Sequence, residues 1–174
     1  SKGNVFVDNN GVMRWENTNE EVRGFGVNYT VPFAHAYRSA KRLGIDPKKA
    51  IDNDVYHFSR LGFDLYRIHV WDTEISDEKG NLIENEHLDT FDYLLKKLID
   101  KNINFVITPI AFWGNGWPEP DEETQGFSHK YGKEGCLYNE DAIKAQQNYL
   151  YQFLNHVNPY TGVAYKNEPN MLAF

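Results

Sequence analysis

Cysteine is nearly absent from this sequence, since Cys136 is the only one among 174 residues. A single cysteine excludes an intramolecular disulfide and a cysteine-based zinc site. Its Gly-Cys-Leu neighbours supply no base that would activate a thiol as a nucleophile. We therefore expect Cys136 to be an ordinary structural residue, and the sequence indicates no metal and no cofactor.

Long apolar runs and an excess of positive charge are also lacking. No stretch approaches the ~20 consecutive apolar residues that a membrane-spanning helix requires. The formal net charge of −7 disfavours nucleic acid and anionic membrane surfaces as partners. The hydrophobic fraction of 41% still permits one ordinary domain with a sizeable core.

Aromatic residues, by contrast, are abundant. They make up 15% of the chain, with four Trp and eleven Tyr. Several lie in polar loops rich in Gly and Pro, where a hydrophobic core has no use for them. Exposed aromatic rings stack well on the apolar faces of pyranose sugars, so this composition favours a sugar-binding surface.

The order of predicted elements indicates the fold class. Asn10-Gly11 between two short β-prone runs predicts an N-terminal hairpin. Four apolar strands then alternate with three amphipathic helices, and Asp46-Pro47 and Asn139 are typical helix starts. The predicted segments are strands at 25–29, 65–70, 104–109 and 170–174, with helices at 46–61, 86–101 and 139–157, and a weaker short helix within 33–43.

Strand–helix alternation of this kind predicts a parallel sheet. The loops after the strands are long and the loops after the helices are minimal, as in a (β/α)₈ (TIM) barrel with its chemistry at the carboxyl ends of the strands. Such a barrel takes ~250 residues. We therefore predict an α/β fold, a partial barrel of about the first four βα units (25–174), preceded by a hairpin and lead-in (1–24).

The strand around residues 66–71 carries the strongest functional signal. Arg67, His69 and Trp71 are two residues apart, so a strand would place all three side chains on one face, opposite Ile68 and Val70. Buried parallel strands are normally apolar on both faces. This row of polar and aromatic side chains therefore predicts the lining of a binding site.

These segments together resemble a known enzyme family. The ordered set consists of Phe25-Gly26-Val27-Asn28-Tyr29, the strand Tyr66 to Trp71, the Trp-rich loop after the third strand, and the stretch Tyr160 to Phe174. It is similar to the retaining glycoside hydrolases of the (β/α)₈ clan, nearest to the cellulases and β-mannanases of family five. The resemblance covers roughly residues 20–174 and implies only the N-terminal half of such an enzyme.

The resemblance implies a mechanism with two glutamates. In that family the fourth strand runs into Asn-Glu-Pro, whose Glu is the acid/base, and the nucleophile Glu ends the seventh strand. Here the first Glu is expected just beyond Phe174, so we expect this chain alone to be inactive. Asn167-Glu168-Pro169 spells the same tripeptide, but it precedes the fourth strand, and we interpret Glu168 as an ordinary loop residue.

The resemblance also implies roles for individual residues. Arg67 matches the arginine that keeps the nucleophile carboxylate ionised, with an ion pair to Asp72 or Glu74 as the alternative. His69 departs from the family pattern and equally suits a structural histidine, and a metal site formed by His69, Asp72 and Glu74 is disfavoured because the positions alternate in direction. The expected substrate-binding residues are Asn28, Tyr29, His69, Trp71, Trp113, Asn115 and Trp117.

Two alternatives to the enzyme stay open. A non-catalytic carbohydrate-binding module derived from a barrel would carry the same sugar-facing residues. A flavodoxin-like domain would need a Gly-rich loop after the first strand, which Val27 to Pro32 does not provide. The expected partners are a carbohydrate and either the missing C-terminal half-barrel or a second copy through open sheet edges. We expect the protein to be secreted or periplasmic, with its signal peptide absent from this sequence.

Overall fold

The computed structural model describes residues 2–29, 37–111 and 126–174. Its centre is a four-stranded sheet in which all neighbouring strands pair in parallel. The strand order follows the chain order, as it does around a barrel. The strands are β3 (Gly26–Asn28), β4 (Leu65–His69), β5 (Asn104–Thr108) and β8 (Met171–Ala173).

Helices connect the strands and cover one face of the sheet. The elements between β3 and β8 are α1 (Tyr37–Arg42), α2 (Pro47–Arg60), α3 (Asp72–Ile75), α4 (Glu86–Asp100), α5 (Gly126–Tyr138), α6 (Glu140–Asn155), β6 (Val157–Asn158), β7 (Val163–Ala164) and a 3₁₀ turn (Tyr165–Asn167). The helix starts predicted at Asp46-Pro47 and Asn139 are confirmed as the N-caps of α2 and α6. The Asp46 carboxylate accepts a hydrogen bond from Lys48 N, and the Asn139 amide oxygen accepts one from Asp141 N.

The core lies between the sheet and these helices. Tyr66, Ile68 and Val70 of the β4 segment are at most 1% exposed. They pack in one cluster with the apolar sides of α2, α4 and α6, including Ile51, Phe91, Leu95, Tyr149 and Phe153. Each such side chain contributes about 1.5–3 kcal/mol by leaving water, so this one-sided core holds the sheet to its helices.

On the opposite face of the sheet, which we call the uncovered face, no helix of the described residues packs. Asn28 and Arg67 are exposed on it, whereas their strand neighbours on the other face are buried or half-buried. In a closed barrel this face would be the interior. Among the strands that the structure describes, β3 and β8 form the two edges of the sheet, and the apolar residues beside them, Phe25 and Phe174, are 67% and 46% exposed.

The N-terminal hairpin lies below the sheet. β1 (Val5–Val7) and β2 (Met13–Trp15) pair antiparallel, as predicted from Asn10-Gly11. A cavity of about 710 Å³ separates Lys2, Gly3 and Trp15 from the amino ends of β4, β5 and β8. The hairpin therefore covers the bottom of the half-barrel; the proposed boundary between residues 24 and 25 stays a prediction.

Two segments interpreted as loops contain helices. The acidic stretch after β4 begins with the short helix α3, and the second part of the Gly-rich stretch before Asn139 is α5, which breaks at Gly132. The acids Asp72 and Glu74, which the sequence places in a long loop after the strand, are buried in this arrangement. Within the described residues, no helix is long and apolar enough to cross a membrane.

Candidate functional site

The candidate site lies at the carboxyl edge of the sheet, on its uncovered face. The register aligns Asn28 with Arg67, and His69 with Thr108. Side chains at paired positions of parallel strands point to the same face. Asn28, Arg67, His69 and Thr108 therefore form one polar row across β3, β4 and β5.

Arg67 is the exposed cation of this row. Its Nη2 donates a hydrogen bond to Thr108 Oγ1 at 3.1 Å, which uses one of the five N–H donors of the guanidinium. Hydrogen bonds between neighbouring strands hold the backbone around it: Tyr29 N donates to Arg67 O at 3.0 Å, and Val70 N donates to Thr108 O at 2.9 Å. These bonds fix the backbone that carries the Arg67 guanidinium at the mouth of the half-barrel.

The alternative partners considered for Arg67 are engaged elsewhere. Asp72 accepts from Ser128 N at 2.8 Å and from Ser128 Oγ at 2.6 Å, which anchors the start of α5. Burial raises the pKa of Asp72, and the hydrogen bonds from Ser128 act against that rise. Glu74 forms a separate ion cluster, so the ion pair with Asp72 or Glu74 is not the arrangement that the structure shows for Arg67.

The Glu74 cluster ties three helices together beside the site. Glu74 Oε2 lies 3.0 Å from Arg38 Nη2 in α1 and 2.9 Å from His87 Nε2 in α4. The Tyr37 ring packs on His87 at 3.8 Å between centroids. Burial alone would raise the pKa of Glu74, but the hydrogen bonds and charges of His87 and Arg38 outweigh it and lower the pKa. This buried charge network was not predicted from the sequence.

Tyr29 does not belong to the polar row. It follows Asn28 directly, so its side chain points to the opposite face of the sheet. Its hydroxyl donates to Asp54 Oδ2 of α2 at 3.1 Å, and its ring meets Phe58 edge-on at 5.3 Å. Burial and the Asp54 carboxylate raise the pKa of Tyr29 to about 12. We therefore remove Tyr29 from the candidate substrate-binding residues.

Trp71 is also placed differently from the prediction. Its side chain is only 2% exposed, so it offers no open ring face to a sugar. The physical reason is that the chain turns into α3 at Asp72, which ends the strand alternation on which the prediction rested. The indole remains near His69, with 6.4 Å between ring centroids. Trp113, Asn115 and Trp117 lie outside the described residues.

Glu168 lies at the other end of the sheet. It precedes β8 and lines the cavity between the hairpin and the sheet together with Trp15 and Asn104. Its Oε1 accepts from Asn170 N at 3.0 Å, which shapes the turn into the strand. The Asn-Glu-Pro tripeptide therefore lies at the amino ends of the strands, away from the carboxyl edge beside Arg67 and His69, as expected for a loop residue.

The polar row is suited to binding, and it holds no pair of carboxylates. None of the strand positions on the uncovered face is Asp or Glu. Arginine offers fork-shaped donors to a carboxylate, and amide, imidazole and hydroxyl groups exchange hydrogen bonds with sugar hydroxyls. In the described part of the chain, no group of three His, Cys, Asp or Glu could hold a metal ion.

Comparison with known proteins gives matches among solved structures only. No family model matches the chain, and no curated protein matches it. An endo-β-1,4-mannanase from Thermotoga petrophila is 20% identical, with a TM-score of 0.62 over 87% of this chain and 34% of its own. A family 5 mannosidase from Rhizomucor miehei, in complex with mannosyl-fructose, is 19% identical, with a TM-score of 0.64 over 99% of this chain and 49% of its own.

A third match is an endo-1,4-β-mannanase from Rhizomucor miehei, 15% identical, with a TM-score of 0.58 over 92% of this chain and 44% of its own. The chain therefore spans between about a third and a half of the length of these structures. At such identities the likeness establishes the fold. The predicted partial (β/α)₈ barrel, and its likeness to the family-five glycoside hydrolase fold, are confirmed.

Proposed function

We propose that this chain forms the N-terminal half of a retaining glycoside hydrolase that acts on a β-linked polysaccharide of the β-mannan type. The observation that carries the proposal is the row of Asn28, Arg67, His69 and Thr108, on the uncovered face at the carboxyl edge of a parallel sheet. Chemistry in (β/α)₈ barrels is located at that edge. The proteins with a similar fold that are named above are mannanases and a mannosidase.

In this proposal, Arg67 supports catalysis without reacting itself. A retaining mechanism needs two carboxyl groups ~5–5.5 Å apart, one as acid/base and one as nucleophile. The uncovered face of the described strands supplies neither. Both glutamates would come from the other half of the barrel, where the guanidinium would hold one of them ionised through charge-assisted hydrogen bonds.

A carbohydrate-binding module without catalysis is the second candidate. The same row of donors and acceptors supports it, and the lack of an inward carboxylate on the four strands favours it for this chain taken alone. The two candidates differ in the polypeptide that completes the barrel. A half that brings two inward glutamates to the carboxyl edge yields the enzyme, and a half that brings none yields the binding module.

Mannotetraose should bind to this chain without being hydrolysed. Amide signals at the carboxyl edge of β3, β4 and β5 should shift on titration in NMR spectra, and chromatography of the same samples should show intact tetrasaccharide. Hydrolysis that persists through purification would contradict the assignment of both glutamates to the other half. Shifts confined to the cavity between the hairpin and the sheet would contradict the placement of the site.

Two adjacent residues provide a matched pair of variants for that titration. Asn28→Ala removes an exposed amide from the polar row and should weaken mannotetraose binding by roughly fivefold, the value of one hydrogen bond. Tyr29→Phe removes a hydroxyl that faces α2, and the affinity should stay unchanged. Equal effects of the two variants would refute the division of the strand into a binding face and a core face.

We further propose that the open edges β3 and β8 are covered by the C-terminal half of the barrel or, in its absence, by a second copy of the chain. Unpaired N–H and C=O groups and the exposed Phe25 and Phe174 favour such pairing. Light scattering of the isolated chain should then give a mass above the 20.3 kDa of one copy. A monomer at all concentrations tested would exclude self-association.

We also propose that the protein is transported to the cell exterior or the periplasm, because a polysaccharide of the β-mannan type is encountered there. Detection of the intact parent protein in the culture medium or the periplasmic fraction would test this.

A further inference from the structure

A second groove lies on the outer flank of the half-barrel, away from the polar row. It has a volume of about 510 Å³ and is formed by the turn after α3 together with α5 and α6. This volume is in the range of small-ligand sites. Its lining residues are Glu78, Lys79, Lys130, Tyr131, Asp141, Lys144, Ala145 and Asn148.

The wall formed by the turn is rigid. Asp77 Oδ1 accepts from Lys79 N at 2.9 Å and from Asn81 N at 2.8 Å, which fixes the turn internally. Gly80, with φ +77°, packs so closely that an added Cβ would lie 1.9 Å from Ala145 O. Asn148 Nδ2 donates to Lys79 O at 3.1 Å, so α6 holds the turn directly.

The charge in the groove is opposite in sign to that of the chain. Three ammonium groups face two carboxylates here, whereas the whole chain carries a formal charge of −7. Lys130 is paired with Glu78 at 2.9 Å. Lys79 and Lys144 are exposed, and neither forms an ion pair with a carboxylate of the described residues. They are therefore available to an anionic ligand.

The other lining groups narrow the class of ligand. Tyr131 is half-buried beside Lys130, whose Nζ lies 5.4 Å from the ring centroid, and it gives the groove a flat apolar surface. Asp141 is an exposed acceptor that suits a hydroxyl donor. A ligand that fits combines a ring with an apolar face, several hydroxyls and a carboxylate.

We propose that this groove binds an acidic saccharide, with the uronate carboxylate on Lys79 and Lys144 and the sugar ring against Tyr131. The inference uses none of the residues of the polar row, so it does not depend on the proposed hydrolase function. Each exposed ion pair contributes little to the binding free energy. We therefore expect a dissociation constant on the order of a millimolar for the acidic saccharide.

Titration with tetragalacturonate tests the proposal on the chain as it stands. Amide signals of the turn, α5 and α6 should shift, and raising the salt concentration to about 0.5 M should weaken the binding, because the charges are exposed. Mannotetraose, of equal length and uncharged, should leave these signals in place. Inorganic phosphate at the same concentration should also leave them in place, since it has no ring for Tyr131.

The double variant Lys79→Ala/Lys144→Ala should weaken tetragalacturonate binding by about five- to tenfold. The turn should survive, because its contact with Asn148 uses the backbone carbonyl of residue 79. Lys133→Ala, on α5 but outside the groove lining, is the matched control and should bind as the parent chain does.

Three results would overturn the proposal. Equal shifts with phosphate would mean an unspecific anion patch, and unchanged binding by the double variant would place the acidic saccharide elsewhere. No shift with tetragalacturonate would mean that the groove is no site for it. A chain that binds tetragalacturonate here but ignores mannotetraose everywhere would sustain this inference while refuting the proposed function, so the two failures are distinguishable.

Discussion

Replacing Glu74 by glutamine should lower the free energy of unfolding by about 3–5 kcal/mol. Glu74 is 1% exposed and lies between Arg38 and His87, which are themselves buried. The amide keeps the shape of the side chain but leaves the guanidinium without its counter-charge. It also turns one acceptor into a donor that faces other donors. The loss of one partner from a buried ion pair is costly because the other charge remains desolvated.

Urea unfolding followed by circular dichroism measures this effect. The control is Glu78→Gln, which removes the same charge from an exposed pair with Lys130 and should shift the midpoint little. Because the pKa of Glu74 is lowered, its stabilisation is present above pH 4.5 and is lost as the pH falls through the lowered pKa. The difference between the parent chain and Glu74→Gln should therefore shrink in acid. A constant difference at all pH values would show that packing, not charge, is responsible.

The Glu74 cluster also connects stability to the candidate site. It fixes α1 and α4 against α3, the helix that begins two residues after the end of the β4 ladder at Val70. Loss of the cluster should therefore loosen the segment that follows Arg67 and His69. Weaker mannotetraose binding by Glu74→Gln, in conditions where it remains folded, would be the functional sign of that connection.

Local signals made much of the fold predictable. Asp46-Pro47 and Asn139 start helices because their side chains accept hydrogen bonds from backbone N–H groups two residues on, which needs no distant partner. The alternation of Tyr66, Ile68 and Val70 with Arg67 and His69 follows from the two-residue period of a strand and is observed in their burial. Such features depend on neighbours in the sequence.

Features that depend on distant partners were missed. Asp72 is buried because Ser128, which lies 56 residues away, satisfies its oxygens. Glu74 is buried because Arg38 and His87 surround it. Neither partner is marked by a local motif, so the two acids were assigned to a loop and considered as partners of Arg67.

The two misplaced candidate residues have simpler causes. Tyr29 was grouped with Asn28 through the resemblance to a family motif, although adjacent strand residues face opposite ways. Trp71 was placed by extending the strand period one step beyond the point where the chain turns into α3. In both cases the strand geometry, applied strictly to the end of the strand, would have excluded the residue.

Gly26→Ala should have the second large effect, with a loss of about 3 kcal/mol in the free energy of unfolding. A Cβ at this position would lie 1.5 Å from Leu65 O and 2.4 Å from its carbonyl carbon. Both atoms belong to the backbone of β4, so no side-chain rotation relieves the clash and β3 must move away. The motif Phe25-Gly26-Val27 thus requires glycine at its second position, because β3 and β4 approach too closely there for any side chain.

Hydrogen exchange separates this clash from ordinary glycine effects. In Gly26→Ala the amide of Tyr29, which donates to Arg67 O, should lose protection, whereas that of Val70, which donates to Thr108 O, should keep it. Gly11→Ala is the control: it has φ +78° but open space around its Cβ, so it should cost only about 1 kcal/mol and leave Tyr29 protected. Because a displaced β3 carries Asn28 away from Arg67, mannotetraose binding should weaken in Gly26→Ala as well. Full protection of Tyr29 in that variant would contradict the close approach of the two strands on which the candidate site is built.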